Sequence, residues 1–312
     1  MPDQAAKNPP IRQGWLRIIL FGIAFVIVTV ILMIILVSAI MGANLDKLRT
    51  DPKAALAEFL TNPAYPWIVV GIETAASILT VFIFWRWIDR KPFGRLGFSI
   101  TDHSSEALTG LFTGPALLGI VALVMMLSGH LSWVDITFDG NALFLALGLM
   151  VLVAVSEELV FRGYILSNLL ETFAGKDEPN NPKGKYIALI VSAFLFAIFH
   201  MGNPGMNTLA FINLILAGLL LGVNYIYTQN LWFSIAFHLS WNFFQGPVMG
   251  FRVSGLNLPS LLQIETKGDL MLTGGDFGLE GSILNTGITF LAFFLFAWAF
   301  ERKYNSGNAA MA

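Results

Sequence analysis

Two adjacent glutamates and an arginine interrupt a long apolar stretch near the middle of the chain. Glu157, Glu158 and Arg162 lie within Val151–Leu170, which is otherwise apolar almost throughout and has the character of a membrane helix. Each charged side chain near the centre of a bilayer costs about 2.5–3.5 kcal/mol on insertion scales. The three charges therefore indicate either a functional site or a structural ion cluster that holds helices together.

Helical spacing assigns different roles to the two glutamates. Glu158 and Arg162 are four residues apart, so they share a helix face and can pair. Glu157 is turned by about 100° from Glu158 at ~3.6 residues per turn, so Arg162 cannot neutralise both carboxylates equally well. We therefore expect Glu158 to pair with Arg162 and Glu157 to point, unpaired, into a polar cavity as a general base.

Two later segments carry polar side chains of the types used in acid–base chemistry. Phe196 and His200 share a face of one predicted helix, and His238 and Asn242 share a face of another. A single histidine in an apolar helix is more often a hydrogen-bonded packing residue. Glu157, His200, His238 and Asn242 nevertheless come from three separate spans, and they could converge in one cavity of a helix bundle.

Such a set of side chains suits hydrolysis. A glutamate and a histidine can polarise a water, and a histidine with an asparagine can stabilise an oxyanion. Alternatively, Glu157, His200 and His238 could ligate a divalent metal such as zinc, with one position left open for water. The His-Glu-x-x-His helix of zinc proteases is absent. Apart from such a metal the sequence indicates no cofactor, and spacing leaves both mechanisms open.

The composition is that of a membrane protein. Of 312 residues, 56% are hydrophobic and 12% are charged, against about 25% charged in soluble domains. The mean hydropathy is +0.71. The net charge of −2 provides no basic surface, so no nucleic-acid partner is expected. Because the chain lacks cysteine, disulfides, thiolate metal sites and a cysteine nucleophile are excluded.

Hydropathy predicts an all-α, polytopic transmembrane helical bundle of about eight spans. We place the spans near residues 18–41, 67–88, 107–127, 142–170, 186–201, 207–227, 231–249 and 283–300. Residues 15–303 are expected to form a single transmembrane domain with a motif-bearing core at 140–250, flanked by polar segments 1–14 and 304–312. Glu73, in the second span, is interpreted as a partly hydrated acid near the outer end of that span.

The basic residues predict the orientation of the bundle. An even number of spans places both termini on one side, and a cytoplasmic location for that side satisfies the positive-inside rule. The side of the termini holds twelve basic residues: Lys7, Arg12, Arg17, Arg86, Arg90, Lys91, Arg95, Lys176, Lys183, Lys185, Arg302 and Lys303. The other side holds five: Lys47, Arg49, Lys53, Arg252 and Lys267. We expect an integral protein of the plasma (inner) membrane of a prokaryote, embedded in the bilayer.

The depths of the polar residues conflict when they are counted from the predicted span starts. Glu157 lies ~22 Å from Ala142, and His200 lies ~21 Å from Tyr186 on the opposite side. In a hydrocarbon core of ~30 Å these two levels differ by roughly 13 Å. The sequence therefore leaves open which face of the membrane the cavity opens to.

Three ordered motifs resemble those of a known protease family. Glu157-Glu-x-x-x-Arg162, Phe196-x-x-x-His200 and His238-x-x-x-Asn242 are similar to the motifs of the CPBP family. That family comprises type II CAAX prenyl endopeptidases and bacteriocin-processing membrane proteases, also called the ABI family. Any one motif is weak, whereas the ordered set is strong. The resemblance covers about residues 140–250, and eight spans also fit the family.

The resemblance implies an intramembrane endopeptidase that cuts a membrane-associated protein or peptide. It implies that Glu157 with His200 activates the water and that His238 and Asn242 stabilise the oxyanion. The supporting residues would be Glu158, Arg162, Phe161 and Phe196. Both a metal-dependent and a metal-free glutamate mechanism are compatible with the resemblance, and nothing in the chain indicates a prenylated substrate.

Two other classes of function are also compatible with these residues. A non-catalytic membrane protein, such as a peptide-binding or bacteriocin-immunity protein, could use the same pocket to bind peptide. An ion or proton transporter could use Glu157, His200 and His238 as a relay. The chain shows neither inverted repeats nor paired broken helices in matching halves, which disfavours a transporter.

Overall fold

The computed structural model describes residues 9–42, 49–61, 65–175 and 181–309. Lys7, Lys47 and Lys176, which contribute to the predicted orientation, lie outside these ranges. Residues 1–8 and 310–312 of the predicted polar end segments also lie outside them.

Helices dominate the described chain. In chain order they are α1 Gly14–Gly42, α2 Pro52–Thr61, α3 Tyr65–Ile83, α4 Ser104–Leu127, α5 Gly140–Glu158, α6 Ser167–Phe173, α7 Pro182–Phe199, α8 Thr208–Gly222, α9 Tyr225–Thr228, α10 Trp232–Phe243, α11 Leu270–Thr273 and α12 Ile283–Ala309. Wider π-helical turns extend α3 over Phe84–Ile88, join α5 to α6 over Leu159–Leu166, and extend α10 over Phe244–Val248.

Within the described ranges, seven helical runs are long and apolar enough to cross a membrane. The predicted polytopic helical bundle is therefore confirmed, and the protein is an integral membrane protein. The remaining predicted span, 231–249, corresponds to the 12 residues of α10 and the five-residue π-helical turn that follows it. It is shorter than the other runs.

Asparagine and aspartate caps set where the central helices begin. The Asp139 carboxylate accepts hydrogen bonds from the backbone N–H groups at the start of α5. The Asn181 side chain accepts from Gly184 N, and Asn207 accepts from Ala210 N, at the starts of α7 and α8. Each cap satisfies backbone donors that have no partner inside the helix, so it fixes the residue from which the helix runs.

An antiparallel ribbon marks one end of the bundle. Strand β1, Leu131–Ile136, pairs with β2, Leu262–Thr266, with an irregularity between Trp133 and Asp135. We call this end of the bundle the ribbon end, and it consists of the ribbon, residues 200–207 and residues 249–282. Gly205 packs against the backbone of Asp276 and Phe277, which joins two of these segments. The sequence predicted only a loop over most of 249–282. The pairing of β1 with β2 could not be predicted from local sequence, because the two strands are far apart in the chain.

A buried group of charges marks the opposite end. Arg17 Nη1 lies 2.7 Å from Asp89 Oδ1, and Arg17 Nη2 lies 2.7 Å from Glu171 Oε2. Lys91 Nζ lies 2.6 Å from Glu171 Oε1. We call Arg17, Asp89, Lys91 and Glu171 the clamp, and this end of the bundle the clamp end. The clamp ties α1 to the residues after α3 and to α6.

The short helix α10 runs from the clamp end to the ribbon end. Before it begins, Leu231 N donates to Gly97 O at 2.9 Å, which places its start beside the connection that follows α3. After it ends, Leu261 N donates to Pro247 O at 2.8 Å, next to the ribbon. Helix α10 therefore crosses the bundle in the position that the sequence predicted for the seventh span.

Small residues let the helices approach closely. Gly110 and Gly114 of α4 lie against the backbone of α10, and Gly218 of α8 lies against Ala193 of α7. A Cβ atom added at Gly110 would lie 2.9 Å from Phe237 N and would also overlap Phe233 O. Because both neighbours are backbone atoms, neither can rotate away.

We expect Gly110→Ala to destabilise the protein by about 1–3 kcal/mol, since it forces α4 away from α10. Gly119→Ala, on the same helix, is the matched control because an added Cβ there meets no atom within 4 Å. Alanine also favours a helix over glycine by about 0.8–1.0 kcal/mol, so the control should be neutral or slightly stabilised. Thermal unfolding in detergent compares the two variants, and equal midpoints would contradict the packing role of Gly110.

Candidate active site

Three helices bring the predicted polar residues to the wall of one cavity. Glu157 lies near the end of α5, His200 follows α7, and His238 and Asn242 lie on α10. All four line a cavity of about 370 Å³. The wall is otherwise mainly apolar and includes Met150, Val153, Phe199, Phe237 and Trp241. A mainly apolar pocket with a few convergent polar groups is typical of a binding or catalytic site.

Glu157 and His200 face each other across a short gap. Glu157 Oε2 lies 3.5 Å from His200 Nε2. That oxygen is buried and has no hydrogen-bond partner among the described residues. His200 Nδ1 lies 2.8 Å from Phe196 O, and because a carbonyl only accepts, Nδ1 must carry a proton. Nε2 of a neutral His200 therefore presents a lone pair toward the carboxylate.

Glu158 is held in a buried network with Arg162 and His238. Arg162 Nη1 donates to Glu158 Oε1 at 2.8 Å, and His238 Nδ1 lies 2.8 Å from the same oxygen. Arg162 Nη2 donates to Gly218 O at 3.1 Å. The pairing of Glu158 with Arg162, and the absence of such a pairing for Glu157, agree with the helical spacing. The contact from His238 adds a function for Glu158, which is to orient the imidazole.

Aromatic rings pack around this network. The Phe161 and Phe196 rings meet edge to face with centroids 5.1 Å apart. The Arg162 guanidinium lies 4.7 Å from the Phe196 centroid, and the His200 ring lies 4.5 Å from it. Phe196 therefore contacts one charged group and one candidate base, and its carbonyl fixes the histidine tautomer. These contacts restrict the orientations available to Arg162 and His200.

Asn242 differs from the other polar residues of the site. It lies one helical turn after His238, is 6% exposed, and lines the cavity. No hydrogen bond joins its side chain to another described residue. Its amide atoms are not among the fully buried polar atoms that lack a partner, so they reach the cavity surface. Its donor and acceptor are thus available to a molecule in the cavity.

The expected difference of roughly 13 Å in depth between Glu157 and His200 was wrong. The helical run from α5 to α6 has 34 residues, so its first turns are a poor reference for depth. The chain returns between α6 and α7, where Gly184 packs against the backbone of Phe173. Measured from that turn, Glu157 and His200 both lie ~24 Å along their helices at ~1.5 Å per residue, so they share a level.

Two further carboxylates line the same cavity. Glu73 lies on α3, and Glu280 lies in the loop before α12. The interpretation of Glu73 as a hydrated acid near the outer end of its span fits its level, but its side chain opens on the cavity that holds Glu157. An acid in a span was the available signal for Glu73. Glu280 stands in a polar loop, and no sequence pattern distinguishes it there.

Neutral groups hold Glu280. Its Oε2 accepts from Ser254 N at 2.6 Å and from Ser254 Oγ at 2.9 Å, which joins two segments of the ribbon end. Burial raises the pKa of the Glu280 carboxyl above its ordinary value, and the hydrogen bonds from Ser254 only partly offset this effect. A raised pKa means that folding disfavours the charged form.

The raised pKa of Glu280 predicts how stability changes with pH. Below the pKa of an unfolded glutamate, about 4.3, the carboxyl is neutral in both states and has its full stabilising effect. As the pH rises through the higher pKa of the folded protein, that stability is lost. Relative to wild type, Glu280→Gln should therefore gain in unfolding midpoint as the pH rises across this window. Thermal unfolding from pH 4 to pH 8 tests this, and a pH-independent difference would contradict it.

A divalent metal at this site stays a prediction. The described residues contain no group of three or more His, Asp or Glu side chains arranged to hold a metal ion. His238 Nδ1 and His200 Nδ1 have their own partners, so only the two Nε2 atoms would be available as ligands. The predicted ligands Glu157, His200 and His238 all line one cavity.

Comparison with protein families shows which known proteins the central part of the chain is similar to. The model for the type II CAAX prenyl endopeptidase Rce1-like family matches residues 139–244. This segment is therefore similar to the CPBP family, to which that model belongs. It contains α5 to α10 and every motif residue from Glu157 to Asn242, so the resemblance read from the sequence is confirmed. The match supports intramembrane protease activity and a membrane-associated substrate. Comparison with curated proteins and with solved structures finds no significant match.

Proposed function

We propose that this protein is an intramembrane endopeptidase in which Glu157 and His200 activate a water that attacks a peptide carbonyl. The observation that carries the proposal is the gap of 3.5 Å between Glu157 Oε2 and His200 Nε2 on the cavity wall. Glu157 has no competing hydrogen bond among the described residues, and the protonated Nδ1 of His200 leaves Nε2 available as an acceptor.

A water on the cavity side of this gap, within hydrogen-bond distance of both atoms, would donate one O–H hydrogen bond to each. Its lone pairs would then point away from both bases and toward the cavity. Glu157 takes the proton as the water oxygen forms its bond to the carbonyl carbon, and His200 shares the developing positive charge. General-base catalysis of this kind typically contributes about 10²–10⁴-fold to the rate.

His238 and Asn242 stabilise the oxyanion that forms when water adds to the carbonyl. Glu158 accepts from His238 Nδ1 and so orients the ring, and Nε2–H of a doubly protonated ring would donate to the oxyanion. The side-chain amide of Asn242 supplies a second donor one helical turn away. Because both residues are buried, their hydrogen bonds act in a region of low dielectric constant, where they strengthen as charge develops.

The tetrahedral intermediate collapses as its C–N bond breaks. The proton taken by Glu157 passes to the leaving nitrogen, which departs as an amine, and the other product is a carboxylic acid. Glu157 and His200 then return to their starting protonation states. The cycle consumes one water and one peptide bond and requires no further reactant.

The cavity wall favours an internal, largely apolar segment of a polypeptide as the substrate. Its described lining includes the carboxylates of Glu73, Glu157 and Glu280 and no lysine or arginine. A free C-terminal carboxylate would therefore find no lysine or arginine there, and it would meet the carboxylate of Glu157. We propose that the enzyme cuts within a membrane-associated chain, away from the terminal carboxylate.

Asn242→Ala should reduce kcat about 10²–10³-fold with little change in KM, as the loss of one oxyanion donor does elsewhere. Its side chain has no described partner, so the folded state should lose little stability. Steady-state kinetics with a cleaved peptide, together with the thermal unfolding midpoint, measure both effects. A variant that mainly raises KM would assign Asn242 to substrate binding instead.

The proposal is tested by comparing protein termini in membranes of cells that express wild-type protein or Glu157→Gln. We expect peptide termini that depend on wild-type protein and disappear in the variant. Glu301→Gln, the same substitution at an exposed position of the clamp end, is the matched control and should retain them. Identical termini in all three samples would reject the protease function. Retained peptide binding in Glu157→Gln with no termini in any sample would favour a binding protein.

A further inference from the structure

The cavity lies toward one end of the bundle. Its wall includes residues from the loops of the ribbon end, namely Asn203, Val253, Ser254, Leu256, Asn257, Leu258 and Glu280. Tyr65, at the start of α3, and Asn285 and Thr289, in the first turns of α12, also line it. Among the described residues, none from the connections at the clamp end contributes to the wall. The cavity is therefore nearer the ribbon end than the clamp end.

Basic residues are concentrated at the other end. The described residues at or near the clamp end include ten lysines and arginines: Arg12, Arg17, Arg86, Arg90, Lys91, Arg95, Lys183, Lys185, Arg302 and Lys303. Those at the ribbon end include four: Arg49, Lys53, Arg252 and Lys267. The two groups of basic residues therefore lie at opposite ends of one bundle. From the sequence, they could be divided only by counting spans.

Several contacts join the cation-rich segments into a single end. Arg17, near the start of α1, pairs with Asp89 after α3 and with Glu171 of α6. Lys303, in the last helix, pairs with Glu106 near the start of α4 at 2.6 Å. Lys183 and Lys185 lie in the first turn of α7, which begins beside the end of α6. The division into two ends therefore does not depend on any single predicted loop.

Lysine and arginine near the ends of membrane spans set orientation, because they are retained on the cytoplasmic side, whereas acidic residues contribute little. We propose that the clamp end is cytoplasmic, that the cavity opens on the non-cytoplasmic face, and that its substrate is a polypeptide segment presented on that face. The part concerning substrate rests on the proposed endopeptidase function. A protein confined to the cytoplasm would not meet this cavity.

The cysteine-free sequence allows a direct test of orientation in the full chain. Lys267→Cys places a thiol on the ribbon, where the native side chain is 70% exposed. Arg302→Cys places a thiol at an exposed position of the clamp end. In intact cells, a membrane-impermeant maleimide should label Lys267→Cys at least tenfold more than Arg302→Cys. After permeabilisation both variants should react, and wild-type protein should remain unlabelled.

Labelling of Arg302→Cys but not of Lys267→Cys in intact cells would overturn the proposal, as would equal labelling of the two. The same measurement on each cysteine variant combined with Glu157→Gln separates orientation from catalysis. If the labelling pattern is as expected and no termini depend on Glu157, the orientation holds and the protease function fails. If termini depend on Glu157 and the labelling is reversed, the enzyme takes its substrate from the cytoplasm.

Discussion

The purified Glu157→Gln protein should fold normally and lose about 10²–10⁴-fold in kcat/KM, the usual contribution of a general base. Glutamine keeps the size of the side chain but cannot accept a proton from water. The fold should tolerate the change because Glu157 Oε2 has no hydrogen-bond partner among the described residues. Kinetics on a peptide that spans an identified cleavage site, with the unfolding midpoint measured in parallel, would separate catalysis from stability.

A double variant tests whether Glu157 and His200 act on the same water. His200→Gln alone should also lower kcat/KM by about 10²-fold or more. If the two residues act as a unit, Glu157→Gln/His200→Gln should be little worse than Glu157→Gln alone, because the effects of coupled catalytic groups are not additive. His103→Gln, in a loop at the clamp end, is the control and should be fully active. Additive losses would mean that the two residues serve separate steps.

Glu158→Leu should destabilise the protein by about 3–5 kcal/mol, because it leaves the buried charge of Arg162 without its carboxylate. Glu158 and Arg162 are at most 1% exposed, so water cannot replace the lost contact. The substitution also removes the acceptor that orients His238. Unfolding in detergent, followed by heat or denaturant, measures the loss of stability.

The matched variant Glu158→Leu/Arg162→Met removes both charges. Because replacing a buried ion pair by apolar residues of similar size is often neutral, it should recover much of the stability lost in the single variant. It should nevertheless remain inactive, since His238 still lacks its partner. A double variant as unstable as Glu158→Leu would show that Arg162 has a structural role beyond its charge, through Gly218 or Phe196.

The parts of the site that lie on one helix were predictable from the sequence. A separation of four residues is enough to pair Glu158 with Arg162, because the α-helical repeat places them on one face. The meeting of Glu157 with His200 was predictable only as a hypothesis. Residue type and an apolar setting indicate that such groups must find partners, but they do not state which helices are neighbours.

Contacts that depend on the mutual register of helices were not predictable. The hydrogen bond from His238 to Glu158 requires a particular axial offset between α10 and α5. The depths of Glu157 and His200 were predicted wrongly for the same reason. They were counted from span starts on opposite faces of the membrane, and the sequence does not give the relative position of those starts. Neither the ribbon nor the contacts of Glu280 were predicted. These contacts join segments that are distant in the chain, and hydrophobic periodicity gives no information about loops.

The clamp has a practical consequence for handling the protein. Its four charges, Arg17, Asp89, Lys91 and Glu171, are largely withdrawn from water, so dissolved ions reach them poorly and screen them weakly. Much of the remaining surface of α1 is exposed hydrophobic side chains. We therefore expect α1 to stay packed against the rest of the bundle when the protein is extracted in concentrated sodium chloride.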